Sequence, residues 1–211
     1  MANIKIKINP KNKIDLNWKK KLFSFEKNTE NFIKNLSFNK SEYYLIRTLT
    51  KNLLKNDCIY IGNSMPIRTF DQFSGKLKNK IHIFSNRGAS GIDGVVSSAL
   101  GMSAINKKTK NYLIIGDVSF FHDTNAFHIL NSTQIDLTII TINNNGGQIF
   151  SRLPYAKNKL KEFKKFWITP PLTKIKDLSN LYKLKYFKLD ITSLDKKINK
   201  ISQLRGVKLI E

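Results

Sequence analysis

Residues 116–150 read GDVSFFHDTNAFHILNSTQIDLTIITINNNGGQIF. One apolar run ends at Gly116-Asp117, and a second, Leu137–Ile142, breaks into Asn143-Asn144-Asn145-Gly146-Gly147. Amides and glycines are poor strand formers, so each run is a short strand that stops where these residues begin. Working outward, similar runs fall at Cys58–Ile61, Ile81–Phe84, Tyr112–Ile115 and Val207–Ile210, with a weaker one at Tyr186–Leu189. Helix-length segments separate them, at about 66–74, 93–105, 123–132, 174–183 and 193–203. Short, continuously apolar strands alternating with helices predict an α/β domain with a doubly wound, mostly parallel sheet and helices on both faces. The domain is expected to cover residues 41–211. Its first helix starts after Ser41, a good N-cap, and runs to about Lys55 with Leu45, Leu49 and Leu53 on one face beside Ile46.

Whole-chain properties limit what the domain can be. The apolar fraction of 41% is enough for a core, and no run of about 18 apolar residues is present to span a membrane. The N-terminus MANIKIKINPKNKIDL alternates lysine with isoleucine and lacks the apolar h-region of a secretory signal. Cys58 is the only cysteine and lies in the apolar run CIYIG, which predicts a small buried hydrophobe. One cysteine and three dispersed histidines exclude a disulfide framework and a Cys/His metal cluster. A reducing, cytoplasmic compartment is expected, or a plastid stroma for a plastid-encoded chain. The charge is unusual, with 37 Lys+Arg against 15 Asp+Glu and a net +22. A balance this basic suits nucleic acid or anionic surfaces. Yet the positive charges are spread along the chain and are mostly lysine, as a solvated, composition-driven surface requires. The densest block, KNKLKEFKKFW at 157–167, is interleaved with aromatics and is where a nucleic-acid footprint would lie.

Ligands bind outside the carboxyl ends of strands in such a sheet. Four polar or glycine-rich stretches fall there: GNSMPIR (62–68), SNRGASGIDG (85–94), GDVSFF (116–121) and NNNGGQIF (143–150). Asp117 and Asn144 lie 27 residues apart (117 to 144), each at the end of an apolar strand. If those strands are neighbours, a carboxylate, an amide oxygen and the backbone carbonyl near Gly146 face one point. Hard oxygen donors in small number suit Mg²⁺ shared with substrate phosphates. Glycine permits the close approach and positive φ that such a carbonyl needs. Helix N-termini expected after Ser64, Ser90 and Asp123 would add N–H groups for a diphosphate. Either stretch alone is equally a loop-former; the two together, in this strand context, favour a metal-diphosphate site.

The pattern Gly-Asp, some 25–30 residues, then Asn-Asn resembles the thiamine-diphosphate motif. GNSMPIR, SNRGASGIDG, GDVSFFHD and NNNGGQIFSRLP, in this order, resemble the cofactor domain of one family, the 2-succinyl-5-enolpyruvyl-6-hydroxy-3-cyclohexene-1-carboxylate synthases of menaquinone and phylloquinone biosynthesis. The likeness is tight over about residues 55–155 and looser at the flanks. It implies that Asp117, Asn144 and the Gly146 carbonyl hold Mg²⁺ (or Mn²⁺), with Gly116, Val118, Ser119, Gly147 and Ile149 also at the cofactor. By the same likeness Ile92 wedges between the two rings of thiamine diphosphate. Ser64, Arg68, Arg87 and Ser90 face the substrates, and Ile149, Phe150 and Leu153 form the apolar wall beside them. The implied reaction decarboxylates 2-oxoglutarate and adds the resulting carbanion to isochorismate, a transferase (carboligase) chemistry carried by the cofactor. Both substrates bear carboxylates, which arginine binds bidentately. His122, Asp123 and His128 are not needed by this chemistry; Asp123 is expected as an N-cap and His128 on a helix face.

The same likeness implies that the glutamate that activates the cofactor lies on a separate pyrimidine-binding domain, carried by another chain or subunit of a homo-oligomer. Nothing in this sequence matches that domain, so no catalytic residue is assigned. Residues 1–40, with one helix from about Trp18 to Leu36, are expected to be the tail of the middle domain or a linker. The chain stops at GVKLIE inside its last strand region, as a piece truncated at its C-terminus would. The stretch FKKFWITPP (163–171) carries lysines where the family has an acidic residue. The expectation is a cofactor-binding portion inactive without the missing domain. The alternatives are a non-functional fragment of that enzyme or a basic nucleic-acid-binding α/β protein, for which no signature is present.

Overall fold

The structure is a computed structural model and describes residues 15–35, 41–157 and 160–211. Leu36, the segment before Asp15 and part of the basic block, Asn158 and Lys159, lie outside the described residues. The chain divides into two compact units, Met1–Ser37 and Phe38–Glu211. In the first, helix α1 (Leu16–Asn35) starts where Asp15 Oδ1 accepts the N–H groups of Asn17 and Trp18. It buries no residue, and Trp18, Leu22, Phe25 and Phe32 are all more than half exposed.

The second unit is a six-stranded sheet, every pairing parallel, in the order β2-β1-β3-β4-β6-β5. The strands are β1 (Cys58–Ile61), β2 (His82–Phe84), β3 (Asn111–Gly116), β4 (Leu137–Ile142), β5 (Lys185–Phe187) and β6 (Val207–Ile210). Helices α2 (Glu42–Asn52), α3 (Met65–Phe73) and α8 (Leu194–Ser202) pack on one face, where Leu45, Ile46, Leu49, Phe70 and Ile198 meet Ile59, Ile61, Ile114 and Ile140. Helices α4 (Val95–Ile105), α5 (Asp117–His122) and α7 (Ile175–Leu181) pack on the other, against Leu113, Ile115, Leu137, Ile139 and Leu209. Alternate residues of β3 and β4 therefore enter opposite cores, which is why these strands read as unbroken apolar runs. The doubly wound α/β fold is as the sequence predicts. No described helix is long and apolar enough to cross a membrane.

Four local expectations are corrected. The helix expected at 123–132 is a 3-10 segment, Thr124–Asn131, and a short α-helix, α5, precedes it with Asp117 as its first residue. Asp123 does not cap its own segment; its carboxylate accepts the N–H and hydroxyl of Ser97 in the first turn of α4. No helix follows Ser90 directly, because α4 begins only at Val95, after Gly94 in the left-handed region (φ 66). The weak strand at 186–189 is β5, shifted to Lys185–Phe187.

Several buried positions break the apolar rule, Lys208 among them. Lys208 on β6 is 2% exposed, paired in register with Thr138, and burial pushes its ammonium down to about 8, helped by Lys185 and Lys110 and opposed by Asp136. The unfolded chain holds the lysine proton up to about 10.4. Between those values the unfolded state binds more protons than the folded one, so stability rises with pH across that window; below about 8 the burial penalty is felt in full. We therefore expect Lys208→Met to stabilise the fold at pH 7 by on the order of 1–3 kcal/mol. The gain should shrink by pH 9.5, as read from the difference in Tm between variant and wild type at each pH.

Candidate functional site

The carboxyl ends of β1, β3 and β4, with the loops that follow, enclose a cavity of about 500 Å³. Adjacent pairing of β3 and β4, with Gly116 opposite Ile142, brings the Gly-Asp and Asn-Asn-Gly-Gly turns side by side. Asp117 is 2% exposed, its Oδ2 accepts the Gly146 N–H at 2.7 Å, and its Oδ1 accepts the Val118 N–H at 2.8 Å. Burial pushes this carboxyl up from its ordinary value, against the pull of the N–H groups of Gly146, Val118 and Asn145. An ionised carboxylate so placed is short of positive charge, and a cation is what would satisfy it.

The turn after β4 is built for close approach. Gly146 has φ 117, and a Cβ there would stand 2.3 Å from the Ile168 carbonyl oxygen. That carbonyl accepts the Gly147 N–H at 2.6 Å, which clamps the segment 164–169 over the turn. The Gly146 carbonyl accepts the Gln148 N–H at 2.7 Å and keeps a second lone pair. Asn144 Nδ2 donates to Glu42 Oε1 at 2.7 Å. Ser119 Oγ, also at the cavity, is buried without a hydrogen-bond partner.

The other side of the cavity, over β1 and β2, is cationic. Arg68 on α3 donates to the Ser64 carbonyl at 2.6 Å, and Arg87 donates to Asn63 Oδ1 at 3.1 Å. Asn63 is itself buried and held by the carbonyls of Asn86 and Gly91. Ser64 has φ 71 and ψ −130, a costly backbone for a residue with a Cβ. Ser90 and Ile92 complete this side, and Ile149, Phe150 and Trp167 form an apolar wall. Phe150 and Trp167 meet edge-on with ring centroids 5.6 Å apart.

Of the residues selected from the sequence, Ser64, Arg68, Arg87, Ser90, Ile92, Gly116, Asp117, Val118, Ser119, Asn144, Gly146, Gly147, Ile149 and Phe150 all line this one cavity. Leu153 does not; it follows the 3-10 turn Gln148–Arg152, away from the lining. His122 makes a surface pair with Asp93 at 3.5 Å, and His128 packs edge-on against Tyr182. Other residues line the cavity without having been selected, among them Asn63 and Gln148 inside the stretches 62–68 and 143–150, Trp167 in the basic block, and Glu42 in no motif at all. Trp167 lies in the block considered for nucleic acid, and it is a wall of the cavity instead.

The donor set fits a metal bound to a diphosphate: one buried carboxylate, one amide, one carbonyl, with the remaining ligands left to phosphate oxygens. Among the described residues no three His, Cys, Asp or Glu side chains converge as a self-sufficient metal centre. Ser119 Oγ is a buried donor in want of an acceptor.

Fold and cavity together define the class: a doubly wound α/β domain with a crevice lined by acidic and cationic side chains at a topological switch point. No family model matches the chain. In sequence, however, the chain is 42% identical over 154 residues to a 2-succinyl-5-enolpyruvyl-6-hydroxy-3-cyclohexene-1-carboxylate synthase of Listeria innocua, a match covering 72% of this chain and 26% of that protein. It is 42% identical over 153 residues to the synthase of Leuconostoc mesenteroides, covering 72% and 28%. To that of Lysinibacillus sphaericus it is 35% identical over 173 residues, covering 82% and 30%. The chain is thus a member of this synthase family by sequence, and it spans less than a third of the length of the curated relatives it matches.

The clamp on Gly146 yields a test. Gly146→Ala places a Cβ against backbone at a φ that L-residues avoid, and should destabilise the unit by about 2 kcal/mol or more. For a chain of this size that is a fall in Tm of roughly 4–8 °C in a thermal melt. Gly101→Ala, where a Cβ meets nothing within 4 Å, should cause no such fall.

Proposed function

We propose that this chain is the thiamine-diphosphate- and Mg²⁺-binding (or Mn²⁺-binding) portion of a 2-succinyl-5-enolpyruvyl-6-hydroxy-3-cyclohexene-1-carboxylate synthase. The observation that carries this is the buried Asp117 carboxylate beside the Asn144–Gly147 turn, in a chain similar to these synthases. Asp117, Asn144 and the Gly146 carbonyl hold the metal, and Ser119 and Gly147 lie at the diphosphate. Ile92 supports the rings. When bound, the cofactor supplies the electron sink for decarboxylation and carbon–carbon bond formation.

The chain's own residues bind and orient. Arg68 and Arg87 present guanidinium groups for the carboxylates of 2-oxoglutarate and isochorismate, with Ser64 and Ser90 beside them. Ile149, Phe150 and Trp167 shield the apolar side from water. The product enters menaquinone or phylloquinone biosynthesis. The activating carboxylate comes from a pyrimidine-binding domain on another chain or subunit of a homo-oligomer, and residues 1–40 are the tail of a middle domain or a linker. The enzyme works in a cytoplasmic or stromal compartment, where Cys58 stays a free thiol.

Two experiments test this. Calorimetry on an assembly containing the chain should show Mg²⁺-dependent thiamine-diphosphate binding that Asp117→Ala abolishes; equal binding by the variant refutes the assignment. The purified 211-residue chain should not consume 2-oxoglutarate with isochorismate. A polypeptide carrying the pyrimidine-binding and middle domains should restore turnover, and Arg87→Ala should then lower it by about 10²-fold, the scale of a lost positioning contact. Full activity from the chain alone would show that the activating carboxylate lies within these residues.

A further inference from the structure

Two neighbouring amides in the turn after β4 are held in different ways. Asn143 uses both ends of its side chain: Nδ2 donates to Glu211 Oε1 at 2.7 Å, and Oδ1 accepts the Asn145 N–H at 3.2 Å. Asn144 uses one. Its Nδ2 donates to Glu42 Oε1 at 2.7 Å, and its Oδ1 has no donor among the described residues. The oxygen and nitrogen of an amide are nearly interchangeable in shape, so chemistry must decide which way it faces. An ionised carboxylate only accepts hydrogen bonds. Glu42 can therefore be met only by the NH₂ group, which leaves the oxygen of Asn144 turned to the other side.

Glu42 is well fixed for this task. It is the first residue of α2, directly after the N-cap Ser41, whose Oγ accepts the Tyr44 N–H at 3.4 Å. The next residue, Tyr43, stacks on Phe73 of α3 with ring centroids 4.2 Å apart and takes a hydrogen bond from Arg152 at 3.3 Å. Leu45, Ile46 and Leu49 bury the next turns in the core. Among the described residues Glu42 and Asp117 are also the only acidic ones that line the cavity, so Glu42 adds a second negative charge beside the cation position.

We propose that Glu42 is a positioning residue for the metal: it holds the Asn144 amide with its oxygen presented to the cavity, and so sets the affinity of the site for a divalent cation. This rests on the metal-diphosphate assignment of the cavity. Outer partners of metal ligands are typically worth 10- to 100-fold in metal affinity.

The test uses Mn²⁺ as the probe, titrated by electron paramagnetic resonance into the assembly that contains the full chain, in the presence of thiamine diphosphate. Glu42→Gln keeps the size of the side chain but offers both a donor and an acceptor, so the amide is no longer held one way. Its Mn²⁺ affinity should fall by about tenfold or more. Asn144→Asp provides the decisive background, because a carboxylate has two equivalent oxygens and nothing to orient. In that background Glu42→Gln should cost less than twofold. The double variant also reports whether the substituted helix still folds, since it is expected to bind Mn²⁺ well. Loss of the same size in both backgrounds assigns Glu42 a purely electrostatic or structural part and overturns the proposal, as does Mn²⁺ affinity in Glu42→Gln within twofold of wild type. Asp117→Asn separates the two levels of inference: it should abolish binding whatever residue stands at 42. Binding that survives Asp117→Asn, or no binding by the unaltered chain, removes the metal assignment itself and this proposal with it.

Discussion

The site depends on a single buried carboxylate that ties two strands together beyond the end of the sheet. Asp117 closes β3 and opens α5, and its two oxygens take N–H groups from its own helix and from Gly146 after β4. Other ties hold the turn at its edges, from Asn144 to Glu42, from Asn143 to Glu211 and from Gly147 to Ile168, but among the described residues only Asp117 joins it to the end of β3. With it, the turn is drawn down until Gly146 touches the Ile168 carbonyl, which recruits the segment 164–169 as a wall. The same bridge leaves Asp117 a charge it cannot share with solvent. The group that organises the loops is thus also the group that calls for a cation.

The rest of the cavity is arranged around that demand by the order of the strands. In the sequence β2-β1-β3-β4, the carboxylates and the amide stand over β3 and β4, and the two guanidinium groups over β2 and β1. A ligand with phosphates bridging a cation at one end and carboxylates to be gripped at the other matches both poles. None of the described lysines lines the cavity, although lysine dominates the net charge of +22. The surface charge raises the attraction for polyanions at long range, and the local arrangement decides which anion fits.

Most of the architecture was legible because it depends on local patterns. β3 and β4 bury alternate residues in two different cores, so their apolar runs stand out in the sequence, and the glycine-amide turn marks where they stop. The site was legible to the extent that its residues sit next to strand ends, as Asp117, Asn144 and Arg87 do. What escaped depends on distant contacts. Glu42 reaches Asn144 across 102 positions, and its place directly after an N-cap reads as helix-dipole chemistry alone. Trp167 belongs to a lysine-aromatic block whose composition suggests nucleic acid, and the Gly147–Ile168 hydrogen bond together with ring contact to Phe150 makes it a cavity wall. Asp123 was misassigned for a related reason: its side chain serves Ser97 on α4, which no pattern around residue 123 encodes. Leu153, the C-cap of the 3-10 turn Gln148–Arg152, is not among the lining residues.

Burial separates the anchoring residues from those at the rim. Asp117, Ser119 and Gly146 are buried and held by backbone, whereas Arg68, Arg87, Ser90 and Phe150 are exposed. Anchors must be rigid before a ligand arrives, because any looseness in a metal site is lost affinity. Rim groups tolerate exposure only if something later excludes water from them, since a guanidinium–carboxylate pair in open solvent contributes little. Arg87 is partly prepared by Asn63, which is buried and fixed by two carbonyls, and Arg68 is tied to the strained Ser64. These restraints reduce the side-chain entropy that substrate binding has to offset, but they do not remove the surrounding water. The division of the cavity into a finished anchor and an open, pre-oriented rim is the physical ground for the proposal that this chain retains the cofactor while a second surface closes over the substrates.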